Sequence, residues 1–256
     1  MTSSTYIEQS RQYATQGYTV FPGVLKGPIL EMLREQCSSF VSREDARMDA
    51  LGTDTIGITH RGRRYFAGHC QRAQPALRRM LFGPVMADVC RATLGRDAYF
   101  FYDQFVVKGA EGGMSFGWHQ DSGYVVGNGG PSDHLPYLTC WCPLDDTNAE
   151  NGTVRLIPFT ANPASREILP HQRQAGSNDL VAEADSSQMI TVEAEAGSIV
   201  AFSSRMLHAT GPNRTARLRR VYLAQYAPEA ILNPGTRHLR NDAIPVVRNG
   251  EHVTMA

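Results

Sequence analysis

At 256 residues the chain is long enough to bury one sizeable core, and its 25 basic and 25 acidic residues cancel, so nucleic acid and acidic membranes find no general electrostatic attraction. No apolar run approaches the roughly 20 residues of a membrane span. Met1–Thr5 has neither the basic start nor the apolar stretch of a signal peptide, so a cytoplasmic protein is expected.

Taken in chain order, the first part reads as helices. Tyr6 to Thr15 precedes a break at Gly17, and Pro28 to Val41 carries Ile29, Leu30, Leu33 and Cys37 on one stripe. Pro75 to Leu94 follows with Leu77, Met80, Leu81, Val85, Met86 and Val89 as its apolar positions and Gly83-Pro84 as an interruption. Between them, Arg61-Gly62-Arg63-Arg64-Tyr65-Phe66 and His69 form a basic, aromatic cluster that suits either a solvated loop or contact with an anionic or hydroxyl-rich substrate.

From Ala98 the period changes to short β-rich runs bounded by Gly, Pro, Asn and Asp. These are Ala98 to Lys108, Met114 to Asp121, Tyr137 to Leu144, Gly152 to Pro158, Met189 to Ala194, Ser198 to Ser203 and Arg219 to Ala227. Strands in series without intervening helices favour an antiparallel sandwich or barrel, and the closed solution is a double-stranded β-helix, the jelly roll of cupin type. The expected organisation is a single domain over 1–256, mainly β with flanking helices: a mostly helical part over 1–97, a jelly-roll core over 98–228 and a C-terminal tail over 229–256. Ser122 to Pro136 and Thr160 to Ser187 read as long connections, with Gly112-Gly113 and Gly127-Asn128-Gly129-Gly130-Pro131 flexible enough to serve as lids. The five cysteines include no C-x-x-C pair, which argues against a zinc ribbon; Cys140 and Cys142, two apart on one strand, are read as reduced packing residues.

The residues with the most chemistry are His119-Gln120-Asp121 and the distant His208. On a strand, His119 and Asp121 share a face while Gln120 looks away, and a second strand must bring His208 to them. Two imidazoles and one carboxylate occupy one face of an octahedral ion and leave the opposite positions open, the arrangement of non-heme Fe(II) oxygenases. His60, His134, His171, His238 and His252 have no spacing that recommends them as ligands.

The run Gly117-Trp118-His119-Gln120-Asp121, then Tyr137 through Asp146, Glu150-Asn151-Gly152-Thr153 and His208-Ala209-Thr210-Gly211-Pro212-Asn213 through Arg219, resembles the phytanoyl-CoA dioxygenase family in content and order. The resemblance implies Fe(II) held by His119, Asp121 and His208, with 2-oxoglutarate and O₂ as cosubstrates and succinate and CO₂ as products. It also implies an arginine shortly beyond the second histidine for the far carboxylate of 2-oxoglutarate, whose planar shape suits a guanidinium fork. Arg219, eleven residues after His208, is that arginine, because Arg219, Val221, Leu223 and Gln225 share one strand face and Arg220 the other; Arg214, Arg217 and Arg220 are the competitors. Gln104 and Lys108 occupy positions the family often gives to polar cosubstrate contacts, Thr210 is placed to bond the same carboxylate as Arg219, and Trp141, on a face with Tyr137 and Thr139, is placed to wall the pocket. Asp121 is retained where halogenating relatives carry a small residue, which favours oxygenation over chlorination.

The expectation is therefore an Fe(II)- and 2-oxoglutarate-dependent oxygenase hydroxylating or otherwise oxidising a small metabolite, in secondary metabolism. It carries no expectation of oligomeric state. Two other classes use the same triad: a noncatalytic jelly-roll protein with a structural metal, and a zinc-dependent hydrolase with a metal-bound water as nucleophile.

Overall fold

The structure, a computed structural model, describes residues 6–175, 177 and 179–254; the reading of Met1–Thr5 falls outside them. Helix α1 (Ile7–Gln16) stops at Gly17, whose φ of 81° lets its N–H return to the Tyr13 carbonyl at 2.8 Å. A Cβ there would lie 2.5 Å from the Phe159 ring, so both conformation and space require glycine. The chain then forms β1 (Tyr18–Phe21), a strand inside the region expected to be helical. Helix α2 (Pro28–Leu51) runs ten residues past Val41, because Met48 returns the apolar stripe to the core after a polar turn. Three small strands follow: β2 (Thr55–Ile56), β3 (Thr59–His60) and β4 (Arg64–Gly68). Helices α3 (Pro75–Leu81) and α4 (Pro84–Thr93) each begin with proline, which fixes φ where no amide donor is needed.

The strands β5 (Ala98–Lys108) and β6 (Phe116–His119) lead to a short helix, α5 (Asp121–Gly127). Next come β7 (Leu138–Pro143), β8 (Val154–Ile157), the two-residue strands β9 (Gln172–Arg173), β10 (Leu180–Val181) and β11 (Ile190–Thr191), then β12 (Ile199–Ser203), β13 (Leu207–Thr210) and β14 (Arg219–Ala227). The chain closes with β15 (Ile244–Arg248) and β16 (Glu251–His252). Both expected long connections therefore hold structure: α5 in the first, and in the second a 3₁₀ turn at Pro163–Arg166 and the β9–β10 hairpin.

Two sheets face each other as a jelly roll. The larger runs β1-β12-β7-β14-β5-β4-β3-β2 and the smaller β11-β8-β13-β6, with neighbours antiparallel. The larger sheet is covered on both faces, so β7 is buried along its whole length. Towards the helices, Phe105, Val107, Cys140, Cys142, Tyr222 and Tyr226 meet Leu33, Cys37, Phe40, Leu77 and Met86. Between the sheets, Trp141, Val154, Leu156, Phe202, Met206 and Val221 form a second cluster. All five cysteines are free, and Cys140 and Cys142 are packing residues of the outer core.

The expected division needs two corrections. Residues before 98 contribute β1 and β4 to the larger sheet, pairing with β12 and β5, so they are more than an external layer of helices. Residues 229–254 are no tail: β15 pairs with the start of β5 and buries Val246 and Val247 against the helices.

Candidate active site

The three candidate ligands converge because β6 and β13 are antiparallel neighbours that set His119 directly opposite His208. Opposed residues on adjacent strands bring their side chains within reach, and the two imidazole centroids lie 4.1 Å apart. Asp121 reaches them differently from the strand alternation expected of it. The strand ends at His119, Gln120 is still extended (φ −112°, ψ 139°), and Asp121 is the first residue of α5. Its Oδ1 lies 4.0 Å from His119 Nε2 and 3.6 Å from His208 Nε2, and one donor atom from each of the three residues falls within 4.8 Å of the others.

The surroundings fix which atoms face inward. His119 Nδ1 bonds the Gly117 carbonyl at 2.8 Å and His208 Nδ1 the Met206 carbonyl at 3.0 Å, each two residues back along its own strand, so both Nε2 atoms are left for a ligand. Burial, and then the neighbouring His208, hold His119 well below the usual imidazole range, in the neutral form that binds metals. Asp121 is fixed through its other oxygen: Oδ2 accepts from Thr139 Oγ1 and from Gln225 Nε2 at 3.1 Å. Gln120 looks away, as alternation requires, and is buried. Its amide donates to the carbonyls of Ser165, Glu167 and Arg205 and accepts from Leu169 N–H.

A cavity of about 450 Å³ opens over this triad between the two sheets. Gln104, Trp141, Thr210 and Arg219 line it together with His119, Asp121 and His208; Lys108 does not. Arg219 is 1 % exposed, and none of its three guanidinium nitrogens has a hydrogen-bond partner. Its Cζ lies 5.6 Å from the Trp141 ring, and burial pushes its pKa down to about 9. The competitors are otherwise engaged: Arg220 pairs with Asp145 at 2.6 Å on the opposite face, and Arg214 and Arg217 are exposed. Lys108 lies behind Thr210, donating to its Oγ1 at 2.6 Å and to the Gly211 carbonyl, so the Thr210 hydroxyl keeps its own proton to donate into the cavity.

An orphaned buried guanidinium is costly. Its presence beside two imidazoles and a carboxylate fits a site built for a divalent ion and an acidic cosubstrate, and the donor set is that of a non-heme iron site.

The basic cluster at 61–66 is largely consumed internally. Arg64 is fully buried on Asp179 (3.0 Å), and Arg61 bridges Asp49 and Asp54, each at 2.8 Å. Phe66 and His69 do reach the cavity wall. Gly112-Gly113 is tied down by Asn213, whose carbonyl accepts from Gly112 N–H at 3.1 Å. Sequence reasoning gave Thr139 and Gln225 no role, although both lie on the strand faces it assigned inward. It missed Arg240 and Asn241, which line the cavity from the segment taken as a tail.

Comparison with known proteins agrees with this geometry. A family model for phytanoyl-CoA dioxygenase (PhyH) matches residues 13–221. An ectoine dioxygenase of Bordetella parapertussis (strain 12822) is 26% identical over 175 residues, 62% of this chain and 56% of that protein, so the chain spans little more than half of that relative's length. An L-proline trans-4-hydroxylase of Streptomyces griseoviridis is 22% identical over 246 residues, covering 88% of this chain and 87% of that one. Among solved structures, the non-heme alpha-ketoglutarate-dependent carbocyclase SnoK from nogalamycin biosynthesis superposes with a TM-score of 0.68 at 18% identity, covering 93% of this chain and 92% of its own. At that identity the likeness shows the fold.

Proposed function

Since the chain belongs to the phytanoyl-CoA dioxygenase family, we propose that it is an Fe(II)- and 2-oxoglutarate-dependent oxygenase oxidising a C–H bond of a small molecule, with hydroxylation as the expected outcome and secondary metabolism as the setting. The observation that carries this reading is the pairing, in one cavity, of the His119–Asp121–His208 donor set with the unpartnered guanidinium of Arg219. A structural metal needs no such anchor, and neither does a hydrolytic zinc.

In this reading His119 Nε2, His208 Nε2 and Asp121 Oδ1 hold the metal, and Thr139 and Gln225 keep the carboxylate turned towards it. Arg219 binds the far carboxylate of 2-oxoglutarate, with the Thr210 hydroxyl as a further donor and Trp141 and Gln104 walling the channel. When bound, iron and 2-oxoglutarate supply O₂ activation coupled to oxidative decarboxylation to succinate and CO₂. The protein's part is to orient both groups, to keep His119 neutral and to exclude water with the aromatic walls. Nothing in the chain suggests a nucleic-acid partner, and among the described residues no helix is long and apolar enough to cross a membrane.

The test is anaerobic titration of the Fe(II)-loaded protein with 2-oxoglutarate, followed by the weak visible charge-transfer band of keto-acid chelation. The band is expected in the wild type and lost in His208→Ala. Iron binding without the band would overturn the oxygenase reading in favour of a structural metal or a hydrolase.

A further inference from the structure

The cavity has a cation at each end, and only one of them is needed for the cosubstrate. Arg219 stands opposite Lys108 at one end of the β5–β14 ladder, and Gln225 stands opposite Tyr102 about 20 Å of strand away, next to Asp121. Beyond Gln225 the wall is completed by Phe101, Tyr137, Asn128, Arg240 and Asn241. The 240–242 segment is fixed there by Asp242 N–H bonding the Phe101 carbonyl at 3.1 Å and by Arg240 N–H bonding the Ile231 carbonyl at 2.9 Å.

Charges along the wall can be assigned one by one. Asp121 and Asp179 are its acidic residues, and Asp179 is cancelled by Arg64. On the oxygenase reading, a divalent ion on Asp121 leaves one positive charge and Arg219 adds another, and the two negative charges of 2-oxoglutarate neutralise both. His69 is held below the usual imidazole range, chiefly by burial, and is neutral. Arg240 remains. Its guanidinium donates to Asn233 Oδ1 and the Asn128 carbonyl, both at 3.1 Å; these are neutral acceptors, and no carboxylate among the described residues pairs with it. Around it the wall is apolar and largely aromatic, with Phe101, Tyr102, Tyr137 and Val125 packed together, while Phe66 and Phe116 lie towards the Lys108 end. A half-buried arginine set in rings matches a single carboxylate on a flat apolar body, which supplies the missing charge and stacks on the walls.

We propose that the substrate is a monocarboxylate with a flat, largely apolar body, and that Arg240 is the residue that binds its carboxylate. The inference rests on the oxygenase reading for the position of the reacting centre, but it concerns the other end of the cavity and is tested by binding alone.

The probes are 2-naphthoate and its isosteric amide, 2-naphthamide, titrated calorimetrically into the full chain, both metal-free and anaerobically loaded with Fe(II) and 2-oxoglutarate. A charge-assisted bond to a half-buried arginine should make the acid bind roughly 10- to 100-fold tighter than the amide. Arg240→Gln should erase that preference while the amide binds as before, and Arg240→Lys should restore part of it. Equal affinity for acid and amide in the wild type, no saturable binding of the acid, or a preference that survives in Arg240→Gln would each overturn the proposal. If the visible 2-oxoglutarate band is absent but the metal-free protein shows the Arg240-dependent preference, the oxygenase reading fails and the carboxylate site stands. If the band is present and the preference is absent, the reverse holds.

Discussion

Arg219 and Lys108 oppose each other across β14 and β5, and neither has a carboxylate within ion-pair distance among the described residues. The two solve the problem differently. Arginine stays protonated, so the cavity carries a buried charge whose pKa is pushed down from the usual guanidinium range to about 9 by desolvation. For a base whose folded pKa lies below its unfolded one, the penalty is full below the folded value and vanishes above the unfolded one, so at neutral pH Arg219 costs on the order of a few kcal/mol. Arg219→Met should therefore raise the urea midpoint of the cofactor-free protein while losing most of the extra stability that 2-oxoglutarate gives the iron-loaded wild type. A lower midpoint in the cofactor-free variant would mean that the guanidinium already has a protein partner. Lys108 instead gives up its proton: burial first, then Arg219, Arg155 and Arg64, push it to about 5. Between that value and the ordinary lysine value of 10.5 the unfolded chain binds a proton that the folded chain does not, so stability rises with pH across this window. Lys108→Met should remove up to about 1.4 kcal/mol per pH unit of that slope, measured by urea denaturation over a pH series.

The proposed metal site joins three elements, and its carboxylate stands where a strand gives way to a helix. Asp121 opens α5, and its orientation is set by β7 and β14, which present Thr139 and Gln225 side by side in register. The outer oxygen of the carboxylate accepts from both, which leaves Oδ1 for the ion. Gln225→Leu should lower Fe(II) affinity about 10- to 100-fold, as loss of an outer hydrogen bond does at other metal sites, with the fold retained; a competitive chelator titration reads this. Unchanged affinity would show that Thr139 alone suffices. The ends of β5 and β14 were legible in the residues because both strands are long, rich in aromatic and β-branched residues and followed directly by Gly109 and Pro228. The Asp121 helix was not. Its break is enforced by Gln120, whose side chain bonds four backbone groups in the segments around 165–169 and 205, and no local propensity encodes that. His119, Asp121, His208 and Arg219 were legible because their residue types and spacing are rare together, whereas Thr139 and Gln225 are ordinary strand residues whose role emerges only from cross-strand register.

At the scale of the whole molecule, the cavity depends on a segment that belongs to neither of the sheets that frame it. The stretch from Ile231 to Asp242 carries a Pro234-Gly235 turn and three charged residues and shows no strand or helix period, so in sequence it resembles a frayed end. It is held because β15 follows, pairing Ile244 with Phe100 and Val247 with Ala98 at the start of β5 and burying Val246 and Val247 completely in the outer core. That short strand could not be read from its own residues, since its stability comes from a partner strand well over a hundred residues earlier rather than from length or alternation. It links the helical layer to the Arg240 end of the cavity: its outward face packs with α4, and its leading end tethers Arg240 and Asn241 to the wall. Val247 therefore tests whether the C-terminal strand belongs to the same cooperative unit as the jelly roll. Val247→Ala should cost about 1–2 kcal/mol for the lost methyl groups and residual void, and Val247→Asp about 4 kcal/mol or more by burying an unpaired carboxylate. If the strand is integral, urea unfolding followed by far-ultraviolet dichroism and by tryptophan fluorescence should shift together in both variants, because Trp118 and Trp141 report the inner sheets from across the molecule. A fluorescence transition that stays in place while dichroism shows an early partial loss would make residues 229–254 an independently melting flap, and the Arg240 end of the cavity would then open without the His119–Asp121–His208 cluster unfolding.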